Sequence, residues 1–126
     1  METAFRLAST PRSAARARHA TRLFLPGLPI DAESVLLIVS ELVANAIQHG
    51  TGPIDVRLAW DGRVLQIEVS DGDPSIERVT LTPPSARFDH GRGLALTDLL
   101  ATDWGARPNA DGKTVWATVT EGRREV

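Results

Sequence analysis

The sequence predicts an α+β two-layer sandwich in which the helices collect on one face of a mostly antiparallel sheet. Two runs of alternating apolar and polar residues flank Asp61-Gly62, which is typical of a β-hairpin. A helical pattern that ends at Gly50 has apolar residues along one side. Because both patterns leave an apolar face to bury, packing the helices on the sheet satisfies both. The 126 residues, 42% of them hydrophobic, suit a single domain over 1–126.

The chain is predicted to begin with a strand and a helix. Residues 4–8 favour a short strand, and Pro11 fits the first position of a helix that runs to about Phe24. Ser9 and Thr10 are both candidate N-caps, because a hydroxyl oxygen can accept a hydrogen bond from a free N–H group of the first turn. A Pro-Gly-Leu-Pro run then ends this helix.

The second helix carries the most informative pattern. Asp31 is its predicted N-cap and Gly50 its predicted C′ glycine. Helical spacing places four polar residues in one narrow stripe: Ser34, Glu41, Asn45 and Gln48. Asparagine is a poor residue for a helix interior, because its amide competes for backbone hydrogen bonds. The stripe is either an ordinary solvated face or a site where a carboxylate and an amide oxygen, one turn apart, hold a cation such as magnesium.

The second half of the chain predicts two strand pairs and a third helix. Apolar residues alternate over 54–60 and 65–69, and a final strand pair covers 104–107 and 114–120. Residues 71–92 lack periodicity, and so long a loop in a small domain is usually functional or disordered. The apolar residues of the third helix are Leu94, Leu96, Leu99 and Leu100. The predicted order is β-α-α-β-β-loop-α-β-β.

Composition excludes several classes of protein. The absence of cysteine excludes disulfides and thiolate metal sites. No apolar run approaches the roughly 20 residues that span a bilayer, and the N-terminus lacks a signal segment, so a cytoplasmic protein without membrane contact is expected. The net charge of −2 implies no direct attraction to nucleic acid.

The basic N-terminal segment is either a solvated helix face or a surface for an acidic partner. Its charged residues are Arg6, Arg12, Arg16, Arg18 and Arg22, with Glu2 as the single acidic residue.

Two further segments carry residue types suited to ligand binding. At the end of a predicted strand, Asp71 could accept a hydrogen bond from an exocyclic amine, and Gly72 would let a flat ring approach the backbone; the alternative is a plain turn. Before the third helix, Gly91-Arg92-Gly93 could bring backbone N–H groups and a guanidinium to phosphate oxygens; the alternative is a flexible joint.

These segments, in this order, resemble the nucleotide-binding boxes of the GHKL superfamily, and most of all the small single-domain anti-sigma-factor serine/threonine kinases of bacteria. The first box is Glu-Leu-Val-Ala-Asn-Ala at 41–46, extended by His-Gly at 49–50. The second is Val-Ser-Asp at 69–71, and the third is Gly-Arg-Gly-Leu-Ala-Leu at 91–96. The ending Gly-Lys-Thr-Val-Trp at 112–116 resembles the last strand motif. The resemblance spans nearly the whole chain and implies the Bergerat fold.

The resemblance implies a site for ATP and Mg2+. Glu41 would be the general base, and Asn45 would hold the magnesium ion. Asp71 would bind the adenine amine, supported by Thr114, and residues 73–92 would form a lid over the ATP. The other positions expected to contact the nucleotide are His49, Gly72, Gly91, Arg92, Gly93 and Leu94. His49 has an alternative role as a cap of the helix C-terminus, where positive charge is favourable.

The implied function is an ATP-binding regulatory kinase. It would phosphorylate a serine or threonine of a small anti-anti-sigma protein of the STAS type, and it would sequester a sigma factor. Related kinases often form homodimers through the N-terminal strand and helix, which correspond to residues 1–30 of this chain. Phosphoryl transfer is mostly positioning and charge neutralisation, so one base, one metal and a few donors suffice.

Two departures from the family pattern leave other functions open. The second box reads Asp-Gly-Asp-Pro-Ser at 71–75, so the last glycine of the Asp-x-Gly-x-Gly pattern is missing. The kinases carry an arginine shortly before the third box, where this chain has Asp89 and His90, and Arg87 or Arg92 would have to replace it. The alternative is a nucleotide-binding module that shapes a partner surface without efficient phosphoryl transfer. A third hypothesis is a domain that binds no nucleotide and docks a partner through its basic helix.

The positions of one lysine and three tryptophans remain to be predicted. Lys113 could reach a phosphate, but the neighbouring Asp-Gly turn favours a surface position on the last hairpin. Trp60, Trp104 and Trp116 are spread over different strands, which favours packing on the sheet over a stacking platform for a base.

Overall fold

The computed structural model describes residues 1–75 and 92–121, with side chains described again from Ala95 onward. Its elements are β1 (Glu2–Leu7), α1 (Ser13–Phe24), α2 (Ala32–His49), β2 (Ile54–Trp60), β3 (Val64–Asp71), α3 (Arg92–Leu100), β4 (Asp103–Pro108) and β5 (Lys113–Thr120). The predicted order of strands and helices is confirmed for these ranges. Most of the predicted loop, residues 76–91, lies outside them.

The strands form one antiparallel sheet in the order β1-β2-β3-β5-β4. Burial alternates along β3, where Leu65, Ile67, Val69 and Asp71 are buried and the residues between them are half-buried. The helix α2 packs against β2, β3 and β5, and α1 and α3 flank it. The predicted two-layer sandwich is therefore confirmed, with the core between α2 and the apolar face of the sheet.

The predicted ends of the helices need correction. The first helix begins at Ser13 instead of Pro11, and neither Ser9 nor Thr10 is its N-cap. The Ser13 hydroxyl donates to the Ala8 carbonyl, 2.5 Å away, so a turn precedes the helix. Asp31 is the N-cap of α2, but its carboxylate accepts from the Ser34 hydroxyl, at 2.7 Å, and no backbone N–H bonds to it.

Gly50 follows α2 for a different reason than the sequence predicts. Its backbone is extended, with φ −100° and ψ −175°, so it is not a left-handed C′ glycine. Any residue could adopt this conformation. What requires glycine is close packing, because a Cβ atom here would lie 2.5 Å from Cγ of Asp71.

The hairpin of β2 and β3 is confirmed at Asp61-Gly62. Gly62 has a φ of +103°, which favours glycine because a Cβ atom is strained in that conformation. The Asp61 carboxylate accepts from the N–H groups of Val64, at 2.8 Å, and Arg63, at 2.9 Å. These hydrogen bonds favour the charged form and lower the pKa of Asp61 below its ordinary value.

Several side chains outside the core are placed by contacts with other strands and helices. The three tryptophans are half-buried, and Trp104 Nε1 donates to Asp98 at 2.8 Å. Leu99 is 76% exposed, so it contributes nothing to the apolar face expected of α3. Among the N-terminal arginines, Arg6 forms an ion pair with Asp55.

None of the helices within residues 1–75 and 92–121 combines the length and apolar character needed to cross a bilayer.

A matched pair of leucine substitutions tests this packing. Leu42 of α2 is 1% exposed, whereas Leu99 of α3 is 76% exposed. We expect Leu42→Ala to lower the free energy of unfolding by about 2–5 kcal/mol, because it leaves a cavity in the core. We expect Leu99→Ala to change it by less than about 0.5 kcal/mol. Urea unfolding of both variants measures the difference, and equal losses would contradict the placement of α2 over the sheet.

Candidate functional site

The end of α2 meets the end of β3. Gly50 packs on the Asp71 side chain, and a Cβ atom at Gly50 would also lie 2.7 Å from Oδ2 of Asp71 and 2.7 Å from the Ala46 carbonyl oxygen. The Gly72 N–H group donates to the Thr51 carbonyl at 2.7 Å. The first two segments predicted from the sequence are therefore in direct contact, although 20 residues separate them along the chain.

Asp71 is a buried carboxylate with one open acceptor. Its Oδ1 atom accepts from the Asp73 N–H group at 2.8 Å and from Lys113 Nζ at 3.0 Å. Its Oδ2 atom also lies 3.0 Å from Lys113 Nζ, but the angle between the two groups is unfavourable for a hydrogen bond. A buried polar atom without a hydrogen-bond partner is costly, and such atoms often mark a position that a ligand or water completes.

Lys113 is the site residue that the sequence prediction missed. A surface position on the last hairpin is wrong, because the side chain is fully buried. Lys113 and Asp71 are opposite each other in the antiparallel pairing of β3 and β5, and Nζ also donates to the Asp73 carbonyl at 3.3 Å. The period-two alternation that predicts inward side chains at Val115 and Ala117 extends back to Lys113. That pattern indicates the inner face of the sheet for Lys113, whereas the adjacent turn residues indicate the surface.

Thr114 is not brought to the Asp71 carboxylate. It is buried, but its Oγ1 atom lies 2.8 Å from Ser70 Oγ and accepts from Asn109 Nδ2 at 2.9 Å. Strand alternation explains this arrangement, because neighbours along β5 point to opposite faces of the sheet. The contact with Asp71 that the resemblance assigns to Thr114 is made by Lys113 instead.

Asn45 supplies a second buried polar group without a partner. It is 8% exposed, and its Nδ2 atom has no hydrogen-bond partner within residues 1–75 and 92–121. Glu41 lies one turn earlier on α2 and is half-buried, and His49 is the half-buried last residue of the helix. Gln48, predicted to share the polar stripe, is exposed. The stripe therefore divides into an inner part around Asn45 and an outer, solvated end.

The third segment is joined to α2 by packing of its helix. The helix α3 begins at Arg92, includes Gly93 in its first turn, and packs against α2. Gly91 lies outside the described residues, as do the side chains of Arg92 and Leu94. Of the predicted lid, only residues 73–75 and the backbone of Arg92 are described. In residues 73–75, the Ser75 N–H group donates to the Asp73 carboxylate at 3.0 Å.

A cavity of about 460 Å3 at the same end of the sheet shares Asp71 and Gly72 with this region. The residues that line it are Arg6, Pro53, Asp55, Ser70, Asp71, Gly72, Asn109, Ala110 and Asp111. Asp55 and Ser70 alternate with buried residues of their strands, so this cavity opens on the face away from α2. It does not include Glu41 or Asn45. We therefore place the candidate site on the helix side. Within residues 1–75 and 92–121, no three His, Asp or Glu side chains are grouped to hold a metal ion.

Glycines shape the backbone around Asp71, and a pair of substitutions tests this. A Cβ atom at Gly112 would collide with the Asp71 carbonyl oxygen and lie 2.6 Å from Gly72 Cα. At Gly105 the nearest atom, at 2.9 Å, belongs to the half-buried Trp116 ring. We expect Gly112→Ala to lower the free energy of unfolding by about 3 kcal/mol, because the backbone of Asp71 and Gly72 must move. We expect Gly105→Ala to lower it by about 1 kcal/mol, because only the Trp116 ring must move. Thermal unfolding compares the two, and a harmless Gly112→Ala would contradict the close approach.

Comparison with known proteins identifies the fold and the family. The structure is similar to the crystal structure of the RsbU and RsbW domains of Rv1364c from Mycobacterium tuberculosis, with a TM-score of 0.69 at 21% sequence identity. That match covers 100% of this chain and 34% of the other, so the chain spans about a third of that protein's length. A search of curated proteins finds no match. The profile of the histidine kinase-like ATPase domain matches residues 7–119. The chain therefore belongs to the histidine kinase-like ATPase domain family, within the GHKL superfamily that its sequence motifs predict.

Proposed function

We propose that this chain is a regulatory kinase that transfers the terminal phosphoryl group of Mg-ATP to a serine or threonine of a small partner protein. Membership of the ATPase family carries the ATP-binding part of the proposal. The observation that carries the site is the presence of two buried polar groups without hydrogen-bond partners, Asn45 Nδ2 and Asp71 Oδ2, on segments that pack together. A bound nucleotide would offer an acceptor oxygen to the Asn45 Nδ2 group and an amine donor to Asp71 Oδ2.

The base of the nucleotide is assigned to Asp71. Its Oδ2 atom is a buried acceptor with no donor of its own, which suits the exocyclic amine of adenine. Gly50 packs its backbone against this carboxylate and adds no side chain beside Oδ2. The phosphates are assigned to the start of α3, where free N–H groups and the positive end of the helix dipole attract anions. Gly91, Arg92, Gly93, Leu94 and His49 are proposed contacts on that side.

The Asn45 amide is assigned to the cation. Magnesium, when bound, would neutralise charge on the phosphates. The amide oxygen is the ligand type that magnesium accepts, and phosphate oxygens and water would complete its octahedral shell. In this role Oδ1 of Asn45 would face the ion, and the Nδ2 group would be available to donate to a phosphate oxygen.

Glu41 is assigned as the general base. It lies one turn before Asn45 on the same helix, so the two side chains project in similar directions. In this role its carboxylate accepts the proton of the attacking hydroxyl while Asn45 helps to hold the phosphate end. The partner is proposed to be an anti-anti-sigma protein of the STAS type, with a sigma factor as the sequestered protein, in the cytoplasm. The similarity to a protein that carries an RsbW domain supports this kind of partner.

The first test separates catalysis from binding. We expect Glu41→Ala to reduce phosphoryl transfer by about a hundredfold or more while ATP affinity changes little, because the base acts on the proton of the acceptor. The measurement is transfer of radiolabelled phosphate from ATP to a candidate antagonist, with ATP binding followed by calorimetry. Glu33→Ala is the matched control, since Glu33 lies in the first turn of the same helix, is exposed, and is remote from Asp71.

Two results would contradict the kinase. No label transfer by the wild-type protein, with ATP binding intact, would favour the alternative of a nucleotide-binding module that regulates its partner by binding. Partner regulation that survives Glu41→Ala would favour the same alternative. A protein that shows no heat and no saturation with millimolar Mg-ATP would leave only a partner-docking domain that binds no nucleotide.

The second test concerns the cation. We expect Asn45→Ala to weaken ATP binding about tenfold in the presence of magnesium, and far less in EDTA, because the amide oxygen acts through the metal. Calorimetry under both conditions measures the two affinities. Gln48→Ala is the control, because it removes an exposed amide from the next turn of the same helix. Equal losses with and without magnesium would show that Asn45 does not bind the ion.

A further inference from the structure

Lys113 is the only lysine of the sequence, and it is fully buried. Its ammonium group forms an ion pair with Asp71, in which the two side chains are 0% and 1% exposed. A buried ion pair is a weak source of stability, because the cost of removing two charges from water offsets their attraction. Well-packed apolar residues would satisfy the fold equally well at this position. The pair is therefore better explained by what it does to the Asp71 carboxylate.

The geometry gives the two carboxylate oxygens different roles. Oδ1 accepts two hydrogen bonds, from Lys113 Nζ and from the Asp73 N–H group. Oδ2 is close to the same ammonium group but accepts no hydrogen bond. The side of Oδ2 is bordered by Gly50, where a Cβ atom would lie 2.7 Å away. Lys113 therefore holds Oδ1 from within the protein, while the Gly50 backbone packs against the Oδ2 side, where a side chain would not fit.

We propose that Lys113 determines the base specificity of the site by fixing the orientation of the Asp71 carboxylate, with Oδ2 presented as an acceptor. This inference rests on the proposed nucleotide binding and adds the residue that sets the preference for a 6-amino purine. A charged acceptor favours a base with an amino group in that position, and it disfavours a 6-oxo purine, whose oxygen would face Oδ2. Lys113 acts through Asp71, so it is a positioning residue.

The loss of Lys113 should remove this preference. Without the ammonium group, the Asp71 carboxylate loses a hydrogen bond that fixes its orientation and is free to turn toward water. A carboxylate that has turned no longer presents the acceptor that reads the amino group. A hydrogen bond to a charged group contributes roughly ten- to hundredfold to affinity. We expect the wild-type protein to bind ATP about tenfold or more tightly than purine riboside triphosphate, which lacks the 6-amino group, and than ITP, which carries a 6-oxo group.

The experiment measures the affinities of the three nucleotides for the full chain and for three variants. Lys113→Met keeps the length of the side chain but removes its charge, and we expect the preference for ATP to fall to about threefold or less. Lys113→Gln keeps a neutral donor, and we expect an intermediate preference. Arg107→Met is the control, because Arg107 lies on the adjacent strand and its guanidinium meets Glu68. We expect this control to keep the wild-type preference.

The outcomes separate this inference from the proposed function. If Lys113→Met weakens all three nucleotides by the same factor, or weakens none, Lys113 is structural and the inference fails while nucleotide binding stands. If both Lys113 variants fail to fold, as thermal unfolding would show, the wild-type protein still decides: equal affinity for ATP and purine riboside triphosphate overturns the inference. If folded wild-type protein binds no ATP, the proposed function falls and this inference falls with it.

Discussion

The buried ion pair between Asp71 and Lys113 is the interaction on which the site depends. It lies where β3 and β5 pair, and it brings a negative charge inside the protein without leaving that charge uncompensated. The surrounding backbone approaches so closely that glycine is required at Gly50 and Gly112. The fold thus provides a fixed carboxylate at the junction of helix and sheet, which is the kind of preorganised polar group that ligand recognition needs.

The second helix serves the core and the site at once. One side of α2 supplies the centre of the core, including Leu42 and Val43, which are almost wholly buried. The other side carries Glu41 and Asn45, the proposed base and the proposed cation ligand. Because the apolar side is anchored on three strands, the polar side is held in place at little cost in conformational freedom. In the part of the chain that the structure describes, the Asn45 Nδ2 atom is buried without a hydrogen-bond partner, and such exceptions are expected where a protein binds a ligand.

The sequence predicted the architecture well and the details of the site less well. Alternation and turn residues predicted the strands and their order along the chain, because each signal is local and side chains in a strand alternate every two residues. The start of α1 was predicted two residues too early, since a tertiary hydrogen bond from Ser13 to Ala8 competes with the proline signal. Lys113 was misplaced because a turn and a buried strand begin at the same point. Only pairing with β3 shows that the strand reaches that residue.

The sequence by itself determined the family and the residue types of the site, since the boxes around Asn45, Asp71 and Gly93 carry local patterns of spacing and chemistry. Tertiary structure alone decided which of these groups meet. It placed Gly50 against Asp71 and turned Thr114 to the opposite face of the sheet. The contact with Asp71 that was expected of Thr114 is made by Lys113. The reason is physical: contacts between segments depend on strand register and on close backbone packing, and neither quantity can be read from residues that are neighbours only in the chain.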